Sequence, residues 1–391
     1  MAEAEFWRRA MREAIALARR GRFRTAPNPN VGAVLVRDGS VVARGWHSCC
    51  GEAHAEIVAL ADAAQRGINP AECTLVVTLE PCSHHGRTPP CTEAILKAGI
   101  RHVVVGAMDI NPTACGGAEV LRGAGVAVET GILEEECRDL IADFIVWQTT
   151  SLPYTILKLA STLDGRIATR TGHSQWISCD KTRRLVHAVR RHMGAIMIGG
   201  KTFYHDNPRL TCRLEQSEPA EEKQPLAVVV TSRLPGDTKS SLLTERPGET
   251  MFWTTVAAAA SPRAESLREA GASVVGLAAR PTGPGSALRA DLDLAEGLAH
   301  LRSERGCHYV LCEGGGRLGL SLLERGLVGE LHMHLSPRIL ADNEATPLFD
   351  GLSPERIDEG IGMRIIQTVM CEKDLIVSLR PHNAPGSTGA A

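Results

Sequence analysis

The chain has 391 residues, 43% hydrophobic and 23% charged, with a formal net charge of −2. Such a length implies two or three domains of ordinary globular type. The near-neutral balance argues against a protein built to grip nucleic acid, and no apolar run is long enough to span a membrane. The opening stretch MAEAEFWRRAMREAIALARRGRF is amphipathic, without the uninterrupted apolar run of a signal peptide, and reads as a first helix over 3–20 stopped at Gly21. VGAVLVRDGSVVARGW is a hairpin about Asp38-Gly39. A helix over 54–66 follows, then a strand CTLVVTL, a Cys-containing loop, a helix over 91–98 and a strand HVVVGAM. A helix near 116–124 and the strand VAVET complete an alternating unit that implies a mostly parallel sheet.

Pro153 and the polar run before it mark a boundary, with one domain over 1–147 and a second over 153–380. Strands are expected at YTILKLA, AIMIGG, LAVVVTS, TMFWTT, ASVVGL and HYVLCEGGG, with helices over 180–192, 261–270, 293–305 and 317–325. ELHMHLSP, RIIQTVM and DLIVSLR give an antiparallel finish to this second α/β domain. EQSEPAEEKQP and PTGPGSA read as surface loops, and 381–391 as a disordered tail. The twelve Cys are scattered with no dense framework, which points to a reducing compartment and a cytoplasmic protein.

The chemistry concentrates first in HAEIVAL and CSHHGRTPPC. Three protein ligands around a zinc leave one position for water and lower its pKa; a carboxylate that does not bind the metal can then carry the proton. His54, Cys82 and Cys91 supply three ligands and Glu56 the spare carboxylate. The pattern is the H-x-E…P-C-x-x-C of nucleobase deaminases, except that eight residues separate the two Cys instead of two. Taken singly, the parts have plainer readings. HxE is usually a surface pair, two Cys are often buried thiols, and His84 or His85 would complete a structural zinc. Their combination favours one catalytic zinc per chain, with Cys49 and Cys50 as bystanding loop thiols.

The second half carries VLCEGGGRLGLSLL, a strand, a Gly-rich turn and a helix, where backbone N–H groups can meet phosphate. It is not G-x-G-x-x-G, so a Rossmann domain is not indicated, and such a turn is often an ordinary loop. Lys158 interrupts an apolar strand, which costs stability unless the ammonium is paired, used or snorkelling to water. GGKTFYHDNPRLTCR reads as a turn-rich loop carrying Thr202, Asp206 and Arg213.

PNPNVGAVLV, GEAHAEIVAL, TLEPCSHHGRTPPC, ILKLASTLDGRIATRTGHSQWIS and DNPRLTCR together resemble the bifunctional riboflavin-biosynthesis deaminase–reductase family over residues 5–380. The eight-residue Cys spacing is that family's own. The resemblance implies a cytidine-deaminase-like three-layer α/β/α domain followed by a dihydrofolate-reductase-like α/β domain. It implies zinc-dependent deamination of a diaminopyrimidinone ribosylamino phosphate, then NADPH-dependent reduction of its ribose. Asn28, His47, His84 and Arg87 would contact the substrate of the first step. In the second, Lys158 and Asp206 would stand beside the reacting sugar, with Ser174, Arg190, Leu210, Arg213 and Glu313 holding the substrate. Ala160, Trp176, Thr202, Asp206, Ser232 and Gly314, Gly315 and Gly316 would line the cofactor, Ser232 with Arg233 ending a strand where a 2′-phosphate could sit. Partners would be a small phosphorylated pyrimidine and further copies of the chain joined through the reductase domain, with neither nucleic acid nor membrane. Three departures stand out: VGEL for VDEL at Gly329, PRILA for PKLLG at Ala341, and DINP for DPNP. An alternative remains a deaminase whose second domain no longer reduces; retained Lys158, Asp206, Arg213 and Glu313 argue against it.

Overall fold

The structure is a computed structural model of the chain and describes residues 2–85, 89–213, 224–280, 291–352 and 354–386. The chain divides after Thr149 into two compact units.

The N-terminal unit runs α1 (Ala2–Ala18), β1 (Gly32–Arg37), β2 (Ser40–Trp46), α2 (Ala55–Gln65), β3 (Thr74–Leu79), α3 (Cys91–Lys97), β4 (His102–Ala107), α4 (Gly117–Gly123), β5 (Ala127–Thr130), α5 (Glu134–Leu140) and α6 (Ala142–Thr149). Asp38 and Gly39 turn the hairpin with φ of 51° and 73°, the left-handed pair that matches strand twist. Strand order is β2-β1-β3-β4-β5. β1 runs antiparallel to both β2 and β3, while β3, β4 and β5 are parallel, so the sheet is mixed where alternation had suggested a mostly parallel one. Gly32 and Gly45 let helix backbone approach the sheet. A Cβ on Gly32 would strike Ala14 of α1, and one on Gly45 would strike Ala55 and Ala59 of α2. Gly32 pairs with Trp46 and Gly45 with Ala33, so the two glycines face opposite sides and the helices form two outer layers. Leu35, Leu75, Val77, Ile95, Val103 and Val105 fill the interior on the α2 side. α5 and α6 were not expected from the sequence.

The C-terminal unit runs β6 (Tyr154–Thr162), β7 (Arg166–Ala168), α7 (Asp180–Arg190), β8 (Ala195–Gly199), α8 (Gly200–Asp206), β9 (Leu226–Val230), α9 (Ser241–Glu245), β10 (Thr250–Thr255), α10 (Val256–Ala259), α11 (Pro262–Glu269), β11 (Ser273–Leu277), β12 (Ala279–Arg280), β13 (Asp291–Leu292), α12 (Leu294–Arg305), β14 (Tyr309–Cys312), α13 (Gly316–Glu324), β15 (Glu330–Ser336), β16 (Thr346–Pro347), β17 (Met363–Cys371) and β18 (Asp374–Pro381). The main sheet has nine strands in the order β11-β10-β9-β8-β14-β6-β15-β18-β17. β11 through β15 are parallel; β18 and β17 add the antiparallel finish. One face buries Leu157, Leu159, Met197, Val310, Cys312 and Leu331 against Leu298, Leu301 and Leu322 of α12 and α13. Lys158 therefore points to the other face, because side chains alternate along a strand. Asp293 starts α12 by accepting from the N–H groups of Ala295 and Glu296, and Ser261 before Pro262 starts α11 in the same way.

Three expectations need correction. Residues 200–206, read as part of a turn-rich loop, form helix α8. Ser232 follows β9 instead of ending it, since that strand stops at Val230. The tail expected from 381 keeps its order for several residues: His382 N–H donates to Gly362, Asn383 Nδ2 donates to the Leu323 carbonyl, and Ala384 is buried. Most of EQSEPAEEKQP and all of PTGPGSA, read as surface loops, lie outside the described residues, as does the chain beyond 386.

Candidate active sites

In the N-terminal unit, three loop-to-helix junctions converge. His54 is the residue before α2, in extended conformation, and Glu56 lies in the helix's first turn. Cys82 follows β3 by three residues, and Cys91 is the first residue of α3. Cys91 N–H donates to Cys82 Sγ at 3.4 Å, which joins the two Cys directly. His54 Nδ1 lies 3.3 Å from Cys91 Sγ and 3.7 Å from Cys82 Sγ, and all three ligand atoms fall within 4.8 Å of one another. Tetrahedral zinc at ordinary bond lengths separates N and S by about 3.6 Å, so the donor set fits that ion. Cys91 donates to Cys82 and thereby pulls the Cys82 thiol down to about 4, while the same bond and burial push Cys91 up. Cys49 and Cys50 are exposed and do not belong to this group among the described residues.

Glu56 is 4% exposed, and burial raises its carboxyl above the ordinary range. It lies within hydrogen-bonding reach of Cys91. His47, 2% exposed, sits edge-on to His54 with ring centroids 5.5 Å apart. Its Nδ1 faces the Ala53 carbonyl at 3.1 Å and its Nε2 faces Asn28 Nδ2 at 3.2 Å. Those partners require Nδ1–H as donor and Nε2 as acceptor, hence a neutral ring. Burial, the largest influence, likewise lowers its pKa. Asn28 spends an N–H on His47 and keeps its Oδ1 for another partner. His84 is exposed on the Cys loop, and Arg87 lies outside the described residues. His85 pairs with Glu93 at 2.9 Å.

Two residues of this unit were missed or misread. Asn30 is buried. It accepts from Thr25 Oγ1 at 3.0 Å and donates to the Leu140 carbonyl at 3.2 Å, tying the loop before β1 to α5. Glu80, in the quoted LEPC, is buried and accepts from the N–H groups of Asp109 and Ala118 at 3.2 and 2.9 Å, which anchors the base of the Cys82 loop.

In the C-terminal unit, Lys158 of β6 is half-buried and makes no hydrogen bond among the described residues. Burial lowers its ammonium below the ordinary value; Glu313 opposes that and Arg190 adds to it. Arg190, in the last turn of α7, grips Glu313 with two bonds of 2.5 and 2.7 Å and the Thr211 carbonyl with a third at 2.9 Å. Burial would raise Glu313, but the Arg190 guanidinium outweighs it and holds the carboxyl below its usual range. Arg213 is exposed nearby; its N–H donates to His187 Nδ1 at 3.2 Å. Burial, then Arg190 and Arg213, pushes His187 down to about 4.

Other candidates surround this group. Asp206 ends α8, exposed, 2.8 Å from His205, and makes no hydrogen bond to Lys158 among the described residues. Leu210 is buried, with its carbonyl taken by Arg246. Ser174 and Ala160 are half-buried, Ser232 is exposed, and Trp176 is 60% exposed under the Arg183 guanidinium. The three glycines divide by task. A Cβ on Gly314 would strike Ile198, and one on Gly316 would strike Leu348, so both are packing requirements. A Cβ on Gly315 would meet only Thr202 Oγ1, at 4.0 Å, so Gly315 and Thr202 share the open edge of the turn. Sequence reasoning overlooked Glu330, His332 and His334, which lie on the Lys158 face of β15; their i, i+2, i+4 spacing within ELHMHLS was the available signal.

Comparison with known proteins identifies both halves of the chain. Residues 5–107 match the cytidine and deoxycytidylate deaminase zinc-binding region, and 153–377 match the RibD C-terminal domain. The chain is 34% identical to the riboflavin biosynthesis protein RibD of Aquifex aeolicus over 95% of its own length and 98% of that protein's. Among solved structures it is similar to a diaminohydroxyphosphoribosylaminopyrimidine deaminase/5-amino-6-(5-phosphoribosylamino)uracil reductase from Thermotoga maritima. That match has a TM-score of 0.72 and 32% identity, and covers 97% of this chain and 99% of the other. It is also similar to Acinetobacter baumannii RibD, with a TM-score of 0.71, 32% identity and the same coverage. The N-terminal half is thus a zinc-binding deaminase region, the C-terminal half a reductase of the NADPH-using type, and the chain belongs to the RibD family of bifunctional riboflavin biosynthesis enzymes.

Proposed function

We propose that the chain deaminates 2,5-diamino-6-ribosylamino-4(3H)-pyrimidinone 5′-phosphate and then reduces the ribose of the resulting 5-amino-6-(5-phosphoribosylamino)uracil to the ribitylamino product. The observation that carries the reading is the three-ligand cluster of His54, Cys82 and Cys91 with the buried Glu56, itself outside the cluster, beside it. Zinc, when bound there, supplies a nucleophilic water at neutral pH. Glu56 carries the proton from that water to the departing amino group. Asn28 reads the pyrimidine edge with the Oδ1 that His47 leaves over. His84 and Arg87 complete the grip from the Cys loop.

For the second step, NADPH supplies the hydride, delivered to C1′ of the opened ribosylamino group. Lys158, its ammonium destabilised by burial, gives up the accompanying proton. Arg213 takes the 5′-phosphate, because Arg190 is committed to Glu313. Asp206, Ser174 and Leu210 complete the sugar side. Gly315 with Thr202 admits the cofactor, and Ala160, Trp176 and Ser232 line it.

The protein works in the cytoplasm; no helix among the described residues is long and apolar enough to cross a membrane. The reductase half self-associates. Edge strand β17 leaves Ile365 and Met370 exposed at 61% and 65%; they pair with Leu379 and Leu375 of β18 and so share a face, which a second copy would cover. Light scattering at micromolar concentration should give at least twice the monomer mass; a monomer would sink the self-association.

The deciding assay follows ammonia release with and without NADPH, and NADPH oxidation in parallel, for wild type and Glu56→Gln. Expected are NADPH-independent ammonia release, at least 100-fold lower in the variant at unchanged zinc content, and NADPH oxidation only after deamination. Ammonia without NADPH oxidation would leave a deaminase with a relic second half. No ammonia from zinc-loaded wild type would overturn the first step.

A further inference from the structure

β15 lies parallel to β6 and sets His332 beside Lys158, His334 beside Ala160 and Ser336 beside Thr162. Paired residues of parallel strands share a face, so these form one row beginning at Lys158 and running toward the C-terminal ends of the strands. Ligands of open α/β sheets bind at those ends.

The row is unevenly satisfied. His332 is fastened: its Nε2 lies 2.6 Å from Glu330 Oε1, and Glu330 also accepts from the Tyr154 hydroxyl at 3.4 Å. His334 is not. It is 5% exposed, its Nδ1 is buried without a partner, and neither ring nitrogen has a hydrogen bond among the described residues. Ser336 Oγ, next in the row and wholly buried, also lacks a partner. Two successive orphaned polar atoms on one face of an otherwise well-paired strand cost stability, which a folded chain keeps where a ligand satisfies them.

We infer that His334 is a substrate-contacting residue of the reductase site, its imidazole offering one hydrogen bond, through a single ring nitrogen, to a hydroxyl of the sugar chain that Lys158 faces. The chemistry matches in two respects. A neutral imidazole has one N–H and one bare nitrogen, and a hydroxyl can accept from the first or donate to the second, so either tautomer finds a partner in it. Burial first, then Lys158 and His332, drives the His334 pKa down to about 2, so the ring is neutral throughout the working range.

The inference rests on the C-terminal unit being the reductase, and the test separates the two. Full-length wild type, His334→Leu and His334→Asn are compared for reductase kcat and KM with 5-amino-6-(5-phosphoribosylamino)uracil, for NADPH Kd and for Tm. Expected for His334→Leu is a fall in kcat/KM of at least tenfold, NADPH Kd within twofold, and a Tm equal to or above wild type. The last follows because an apolar side chain removes an unsatisfied buried nitrogen. His334→Asn, which keeps a donor and an acceptor, should recover part of the rate. A kcat/KM within twofold of wild type in His334→Leu would overturn the inference. So would a joint fall of Tm, NADPH affinity and rate, which marks a structural residue, or a rise in NADPH Kd alone, which marks a cofactor contact. Wild type that oxidises no NADPH would sink the reductase reading, and this inference with it.

Discussion

Single positions show where this chain departs from its relatives' pattern and why it can. Ala341 stands where the resemblance expects Gly, and its φ is 51°, in the left-handed region that costs a side chain about 1 kcal/mol. The residue is held there by Asp164, whose Oδ2 accepts from the N–H groups of Leu340 and Ala341 at 3.1 and 2.8 Å. Ala341→Gly should raise stability by about 0.5 kcal/mol, the relieved strain being partly offset by the freer unfolded chain; the denaturant midpoint would report it. Gly329, where Asp is usual, has a matching partner: the Tyr154 ring fills the space a Cβ would need, and its hydroxyl donates to the Gly329 carbonyl at 3.1 Å. His54, Cys82 and Cys91 were legible as a group because zinc takes few residue types, and the H-x-E pattern sets Glu56 beside them. His334 was less legible: the alternation in ELHMHLS marks its face of β15, but its place beside β6 and its missing partners show only in the structure.

At the scale of elements, hydrophobic period and punctuation located nearly every strand of both sheets. The Asp38-Gly39 turn, the Ser261-Pro262 start of α11 and the Gly306 end of α12, with φ of 63°, are local rules obeyed locally. Short α8 escaped notice because GGKTFYHDNP is dense in turn formers; the helix forms where Gly200 packs against Thr231. The loop between β6 and β7 supplies a pH test. Hydrogen bonds from Thr162, then from the Ala341 and Leu340 N–H groups, hold Asp164 at about 2, below its ordinary 3.8. A carboxyl lowered by folding adds stability above its unfolded pKa and loses it as pH falls through the folded one. Asp164→Asn should therefore be less stable than wild type above about pH 5, with the gap closing toward pH 2. Tm measured across that range checks it; a gap that persists at pH 2 would contradict the assignment.

For the whole molecule, the informative fact is separateness. Each unit has its own core and its own site, and the boundary after Thr149 falls beside the Pro153 signal read from sequence. The mixed order of the first sheet was not legible, since β1 could pair with β3 in either direction until the sheet was assembled. Separateness has a chemical consequence. Removing zinc with a chelator should take ammonia release to background, while NADPH oxidation with the deaminated substrate stays within twofold. Loss of both together would mean that the metal supports more than the N-terminal unit.

The position of β18 bears on how the protein is made. This strand, residues 374–381, is the last strand of the described residues, yet it lies between β15 and β17 in the sheet. While a ribosome still shields those residues, β17 has no neighbour to pair with, and β15 presents an open edge. Every strand of the first sheet, by contrast, has emerged some 240 residues earlier. The deaminase half can thus fold and load its metal during translation, whereas the reductase half must wait for synthesis to pass residue 381. Rare codons or stalling in the stretch that encodes β18 would leave a competent deaminase tethered to an incomplete, aggregation-prone sheet.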